Sequence, residues 1–130
     1  MKFKINECIS LNEKFNIEFK ISKEAGASFA QLTGDRSSLH INSTFATTSA
    51  YRENIAHGML PILFITAIPF NLKEGSFSIS KSRISFFNPI FFGQKIRMEA
   101  EIVEIDDVNN EFELEIDYYN IETRNKFIHA

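Results

Sequence analysis

The chain has 130 residues, the length of one domain, with 44% hydrophobic and 24% charged residues, an ordinary globular balance. A formal net charge of −3 leaves no basic excess to hold a polyanion, which argues against nucleic acid as a partner. One cysteine, Cys8, excludes an internal disulfide framework and a cysteine-based zinc site.

The start, Met-Lys-Phe-Lys-Ile-Asn-Glu, has no apolar run of signal-peptide length, so a cytoplasmic, reducing setting is expected. Phe15, Ile17, Phe19 and Ile21 alternate with Asn16, Glu18 and Lys20, the period of a half-buried strand. Ser22 stands where a helix N-cap would. Ala25, Phe29 and Leu32 follow at helical spacing, predicting a short amphipathic helix to about Thr33 with Gly34 as its terminator. Residues 35–54 are polar and irregular, with short helical stretches expected around 43–51.

Residues 58–72 are apolar on every side, broken only by Thr66 and Asn71. Fifteen residues with two prolines fall short of a membrane span. They predict a core helix wrapped by other elements, with Pro61 in its first turn and Pro69 kinking or ending it. Across residues 76–87 the apolar positions change parity, from Phe77 and Ile79 to Ile84 and Phe86, which predicts a bulged strand. Asn88, Pro89, Gly93 and Gln94 punctuate. Ile96, Met98, Ala100 and Ile102 alternate with charged residues, as do Phe112, Leu114, Ile116 and Tyr118 after a turn at 106–110. Phe127 and Ile128 begin a last strand. The order predicts an α+β fold in one domain, residues 1–130, with an antiparallel sheet curled around one apolar helix.

The residues able to do chemistry cluster in two stretches, Phe29 to His40 and Ile55 to Leu60. Asp35 follows Gly34 at a helix C-terminus, where the helix dipole disfavours a carboxylate. His40 lies five residues on. Such a pair can hold and polarise one water, although a loop-capping Asp and a surface His give the same pattern. Gly58, lacking a Cβ, lets an acyl oxygen approach the backbone N–H groups at the start of the apolar helix, as in an oxyanion hole. Tight helix–sheet packing asks for the same glycine. His57 reads as a second catalytic group or as a capping or packing histidine. Nothing in the pattern calls for a metal or a cofactor.

Phe-Ala-x-x-Thr-Gly-Asp-x-x-x-x-His over residues 29–40, then Ile-Ala-His-Gly-Met-Leu over 55–60, resembles the MaoC-like family of (R)-specific enoyl-CoA hydratases and dehydratases. The run from Arg83 to Gln94 resembles that family's strand, proline and Gly-containing turn. The resemblance implies the hotdog fold, a curved antiparallel sheet around a long helix, and a homodimer with a CoA- or carrier-protein-linked acyl thioester as substrate. It places the catalytic carboxylate on Asp35, the catalytic imidazole on His40 and the carbonyl-binding glycine on Gly58. His57 and Ser37 join the substrate-binding set, and a hydroxyl near the catalytic water falls on Thr66. The family's usual Gly-Asp-x-Asn-Pro-x-His differs here, with Ser37 and Ser38 in place of Asn and Pro, which frees the loop and shortens its reach. Family members continue past the position of Ala130, so the chain reads as a short protein or as a domain cut from a larger enzyme.

Three functions follow: hydration of a trans-2-enoyl thioester or the reverse dehydration, a non-catalytic acyl-binding or assembly role, and thioester hydrolysis. Hotdog thioesterases often carry a carboxylate on the central helix, and residues 56–72 contain none. The aromatic residues are skewed to 14 Phe against three Tyr and no Trp, which suits an apolar cavity and equally a codon bias. Phe64 and Phe70 on the helix, and Phe86, Phe87, Phe91 and Phe92 around Asn88 and Pro89, suggest a constricted tunnel and short acyl chains.

Overall fold

The computed structural model describes residues 1–4, 9–68 and 78–130. Cys8, Pro69, Phe70, Asn71, Leu72 and Phe77 lie outside the described residues. Two alternating segments form the centre of the sheet: β5 (Lys95–Asp106) and β6 (Glu111–Asn120) pair antiparallel, with Met98 opposite Tyr118 and Ala100 opposite Ile116. Because side chains alternate, Ile96, Met98, Ala100, Ile102, Phe112, Leu114, Ile116 and Tyr118 all fall on the buried face. On the far side of β5 lies β2 (Lys14–Lys20), in register with Phe15 opposite Ala100. The other edge of β6 is shared. Near its start it pairs with β1 (Lys2–Lys4), and near its end with β7 (Lys126–His129). The seven-stranded sheet is completed by β3 (Ser78–Lys81) on β1 and β4 (Ser85–Phe86) on β7.

The parity change predicted as a bulge in residues 76–87 is instead a break between two strands. β3 and β4 pair with different neighbours, so the chain changes partner between them. β1 went unpredicted, since a Lys-Phe-Lys triplet is too short to show a period. A bulge does occur in β5, where the register shifts between Ile102 and Glu104 and half-exposed Val103 is the extra residue.

α1 (Lys23–Thr33) starts as expected, with the Ser22 hydroxyl oxygen accepting the Ala25 N–H at 3.0 Å. Its buried stripe is Gly26 and Ala30, flanked by Ala25 and Phe29, while Leu32 is 84% exposed and faces solvent. Two short helices, α2 (Ser38–Ile41) and α3 (Ser43–Thr48), follow in the irregular region.

The apolar segment differs most from expectation. Within the described residues it is a turn at 58–60 and a 3-10 helix, Pro61–Ala67, instead of a fifteen-residue α-helix. Pro61 supplies a first-turn residue with no N–H to satisfy. One face is core: Ile62 and Ile65 are buried, and Phe64 stacks on Phe19 with ring centroids 3.7 Å apart. Met59 and Leu63, at 49% and 53% exposed, point away from the sheet, so the sheet covers this helix on one side only. No helix among the described residues is long and apolar enough to cross a membrane.

Candidate active site

The polar side chains of the site come from one stretch of chain, residues 34–58, and its geometry begins at the end of α1. Gly34 takes φ +79° and returns its N–H to Ala30 O at 3.0 Å, a left-handed cap that only glycine adopts without strain. Thr33 Oγ1 donates to Phe29 O at 2.7 Å and accepts the Asp35 N–H at 3.2 Å. Asp35 is thereby fixed just past the helix. Its Oδ1 accepts the Ser37 N–H at 3.2 Å, a turn closed by an Asp side chain that starts α2 with Ser37 as N-cap. Ser37 thus serves through its backbone, and its hydroxyl makes no capping bond.

α2 carries His40. The imidazole Nδ1 lies 2.8 Å from Ile55 O. A carbonyl only accepts, so Nδ1 carries a proton, and in the neutral ring Nε2 holds the lone pair. The strap that supplies this carbonyl is itself held. Ile55 N–H donates to Leu39 O at 3.4 Å, Asn54 Nδ2 donates to the same carbonyl at 2.9 Å, and Ala56 N–H donates to Ile90 O at 2.8 Å. His57, on the same strap, is 1% exposed. Its Nε2 donates to Asp35 O at 3.0 Å, its ring lies 4.1 Å from that of His40 and 4.8 Å from that of Phe29, and its Nδ1 is buried without a partner among the described residues.

One ligand atom each from Asp35, His40 and His57 fall within 4.8 Å of one another, a spacing that a single water spans. The trio has the residue types of a metal site and equally those of a proton-handling group. The two imidazole planes are inclined by 31°, and with His57 Nε2 donating to Asp35 O, Nδ1 is the His57 nitrogen without a hydrogen bond among the described residues.

Gly58 follows in the turn before the 3-10 helix. Its N–H donates to no group among the described residues, and the element behind it is one short 3-10 segment in place of the expected α-helix. A Cβ on Gly58 would stand 3.0 Å from Cε1 of Phe86. Two cavities open at this point. One, of about 360 Å³, is lined by Phe29, Thr33, Asp35, His57, Gly58, Met59 and Phe86. The other, of about 290 Å³, has His40 in its wall with Tyr51, Ile55, Gly58, Phe86 and Phe87. Thr66 lines neither; it is exposed on the 3-10 helix with its hydroxyl donated to Leu63 O at 2.8 Å.

Sequence reasoning groups Asp35, His40, His57, Gly58 and Ser37, and the structure brings these together while leaving Thr66 outside. It misses the carbonyls of Asp35 and Ile55 as the groups that orient both imidazoles, because every residue carries a carbonyl and nothing in the side-chain pattern marks these. It also misses Phe86 as the neighbour of Gly58, a contact between residues 28 positions apart that no local period reveals.

This fold and this site define a class. The family profile described as "MaoC like domain" matches residues 8–123, most of the chain, and the chain belongs to the MaoC-like family of hydro-lyases with the hotdog fold. Among particular proteins, an (R)-specific enoyl-CoA hydratase of Aeromonas caviae is 30% identical over 101 residues, covering 76% of this chain and 75% of that protein. A 3-hydroxybutyryl-CoA dehydratase of Methylorubrum extorquens is 28% identical over 98 residues, covering 75% of this chain and 61% of that protein. The solved structure of the A. caviae (R)-hydratase involved in PHA biosynthesis superposes with a TM-score of 0.83 over 95% of this chain and 94% of that one, at 22% identity.

Proposed function

We propose that this protein adds water across the double bond of trans-2-enoyl thioesters, and in reverse dehydrates (R)-3-hydroxyacyl thioesters, with Asp35 and His40 handling the water. The observation that carries the reading is the locked imidazole. Nδ1 of His40 donates to Ile55 O, so in the neutral ring Nε2 is the nitrogen left to accept a proton, and an Asp35 carboxylate oxygen and a His40 ring nitrogen lie within 4.8 Å of each other. Family membership and the named activities of the two curated relatives support the same chemistry.

In the hydration direction, the water between Asp35 and His40 gives a proton to the pair as its oxygen bonds to C3. The electron pair of the C2=C3 π bond shifts toward the thioester, whose oxygen gains charge beside the Gly58 N–H, and C2 then takes a proton from the pair. The product carries both hydrogens and the oxygen of one water. An N–H aimed at developing charge contributes more than one aimed at the ground state. His57 acts as a positioning residue. It ties the Asp35 carbonyl and backs the His40 ring, a support that holds the loop although Ser37 and Ser38 replace the family's Asn and Pro.

The acyl carrier is read as CoA or a carrier protein, and the assembly as a homodimer. Exposed Met59 and Leu63, on the side of the 3-10 segment that the sheet leaves open, support a second copy there. Incubation with crotonyl-CoA while following the enoyl thioester absorbance tests the reaction. Asp35→Asn and His40→Ala are each expected to lower kcat by about 10²–10⁴-fold. Full rate in either variant, or no turnover of any CoA- or carrier-linked enoyl thioester, removes the reading, and release of free thiol points to hydrolysis.

A further inference from the structure

Among the described residues, the two cavities at the site share Gly58 and Phe86. Asp35 lines one and His40 the other, so a thioester whose reacting carbon meets the water between them has a cavity for its acyl chain on either side of Gly58. The Phe86 ring stands there. Its Cε1, Cδ1 and Cζ lie 3.0, 3.3 and 3.5 Å from the position a Gly58 Cβ would take. The absence of a side chain on Gly58 is what lets the ring come this close.

Phe86 is held by its backbone and not by its ring. It belongs to the two-residue strand β4, opposite Ile128, and the next residue donates its N–H to Phe127 O at 2.9 Å. The residue as a whole is 53% exposed. A ring on a fixed strand with solvent on one side can be trimmed without removing core packing.

We propose that Phe86 sets the length of acyl chain that this site accepts. Its ring is the partition that keeps the cavity beside Asp35 separate from the apolar one beside His40. The proposal rests on the thioester reading above and names its specificity residue. Each cavity alone lies at the lower end of the roughly 300–1,000 Å³ typical of small-molecule sites, which suits a four-carbon acyl group, while the two joined reach well into that range. The walls beyond the partition include Ile55, Ala56, Phe87, Pro89, Ile90 and Ile128. Against such walls each added methylene of a chain tightens binding about fourfold.

The test compares butyryl-CoA with octanoyl-CoA, saturated thioesters that bind without being hydrated, by calorimetry on the full chain. In Phe86→Ala the octanoyl-to-butyryl affinity ratio is expected to rise at least about tenfold over the parent protein. In Phe86→Leu, which keeps an apolar partner for Ile128 and guards against a fold defect in the smaller variant, the rise is smaller. A ratio that does not move in either variant, once thermal melts show both folded, overturns the proposal, as does a parent protein that binds neither thioester. Crotonyl-CoA turnover by the parent decides the reaction separately. A shifted ratio without turnover keeps the partition and removes the hydratase reading; turnover with an unmoved ratio does the opposite.

Discussion

Tyr118 lies near the end of β6 with no exposed surface, its ring meeting Phe19 edge-on at 6.4 Å, and its hydroxyl is buried without a hydrogen-bond partner among the described residues. Tyr118→Phe removes that oxygen and nothing else. An unsatisfied buried hydroxyl costs about 1–3 kcal/mol, and the small void left by its loss costs up to about 1 kcal/mol. The variant should therefore be more stable by about 0.5–2 kcal/mol, a rise in Tm of several degrees for a domain of this length. Burial also pushes the Tyr118 phenol well above its ordinary value of 10.0. A raised folded pKa gives stability that is complete below the unfolded value, near 10, and is lost as pH rises above it, because the unfolded chain releases the proton first. Phenylalanine lacks this term. The advantage of the variant should thus widen above pH 10, by up to about 1.4 kcal/mol per pH unit. Urea unfolding followed by far-ultraviolet circular dichroism at pH 7, 9.5 and 10.5 measures both effects. A variant less stable than the parent at pH 7, or a difference that stays flat with pH, would refute the reasoning.

Gly26 sits inside α1 where a Cβ would meet Cζ of Phe92 at 2.7 Å and Cε1 at 2.8 Å. Gly26→Ala gains about 1 kcal/mol of helix propensity but overpacks at a cost of about 1–3 kcal/mol, so Tm should fall, and adding Phe92→Leu should restore it; a higher Tm in the single variant contradicts the packing. For Asp117, burial pushes the carboxyl up, but bonds from Lys126 Nζ and His129 Nδ1, each at 2.8 Å, outweigh it and hold the group below its ordinary 3.8. A depressed folded pKa gives stability that is full above about pH 3.8 and lost as pH falls through the folded value. Asp117→Asn should then weaken the protein at pH 6 and converge with the parent in acid, a pattern that an acid-unfolding titration would show or deny.

The strands were legible because their signal is local. Ile96 to Ile102 and Phe112 to Tyr118 repeat every second residue, and a half-buried sheet needs nothing else. Ser22 and Gly34 were legible because capping chemistry restricts which residues serve there. The segment after Gly58 misled because its composition is apolar all round, which fits a wrapped helix, whereas the structure gives Pro61–Ala67 one buried side and one open side. Sequence shows how apolar a segment is, not how many neighbours cover it. The same limit applies to Leu32, which has the spacing of a core position and lies in solvent because α1 is rolled onto Gly26 and Ala30. Asp35 and His40 stood out through their motif, while Thr66, carried along by likeness, lies on the outer side of its helix.

Both imidazoles of the site hang from main-chain carbonyls, His40 from Ile55 and His57 from Asp35. A carbonyl is supplied by whatever residue occupies the position, so mutation of the accepting residue's side chain does not erase it. The neighbourhood can therefore drift in sequence while the tautomer of His40 and the tilt of its ring stay put. The cost of such drift falls instead on backbone paths: an insertion, a deletion or a proline between residues 34 and 58 would move a carbonyl and uncouple the pair. For a lineage of related chains, this architecture makes loop length, more than residue identity, the inherited constraint.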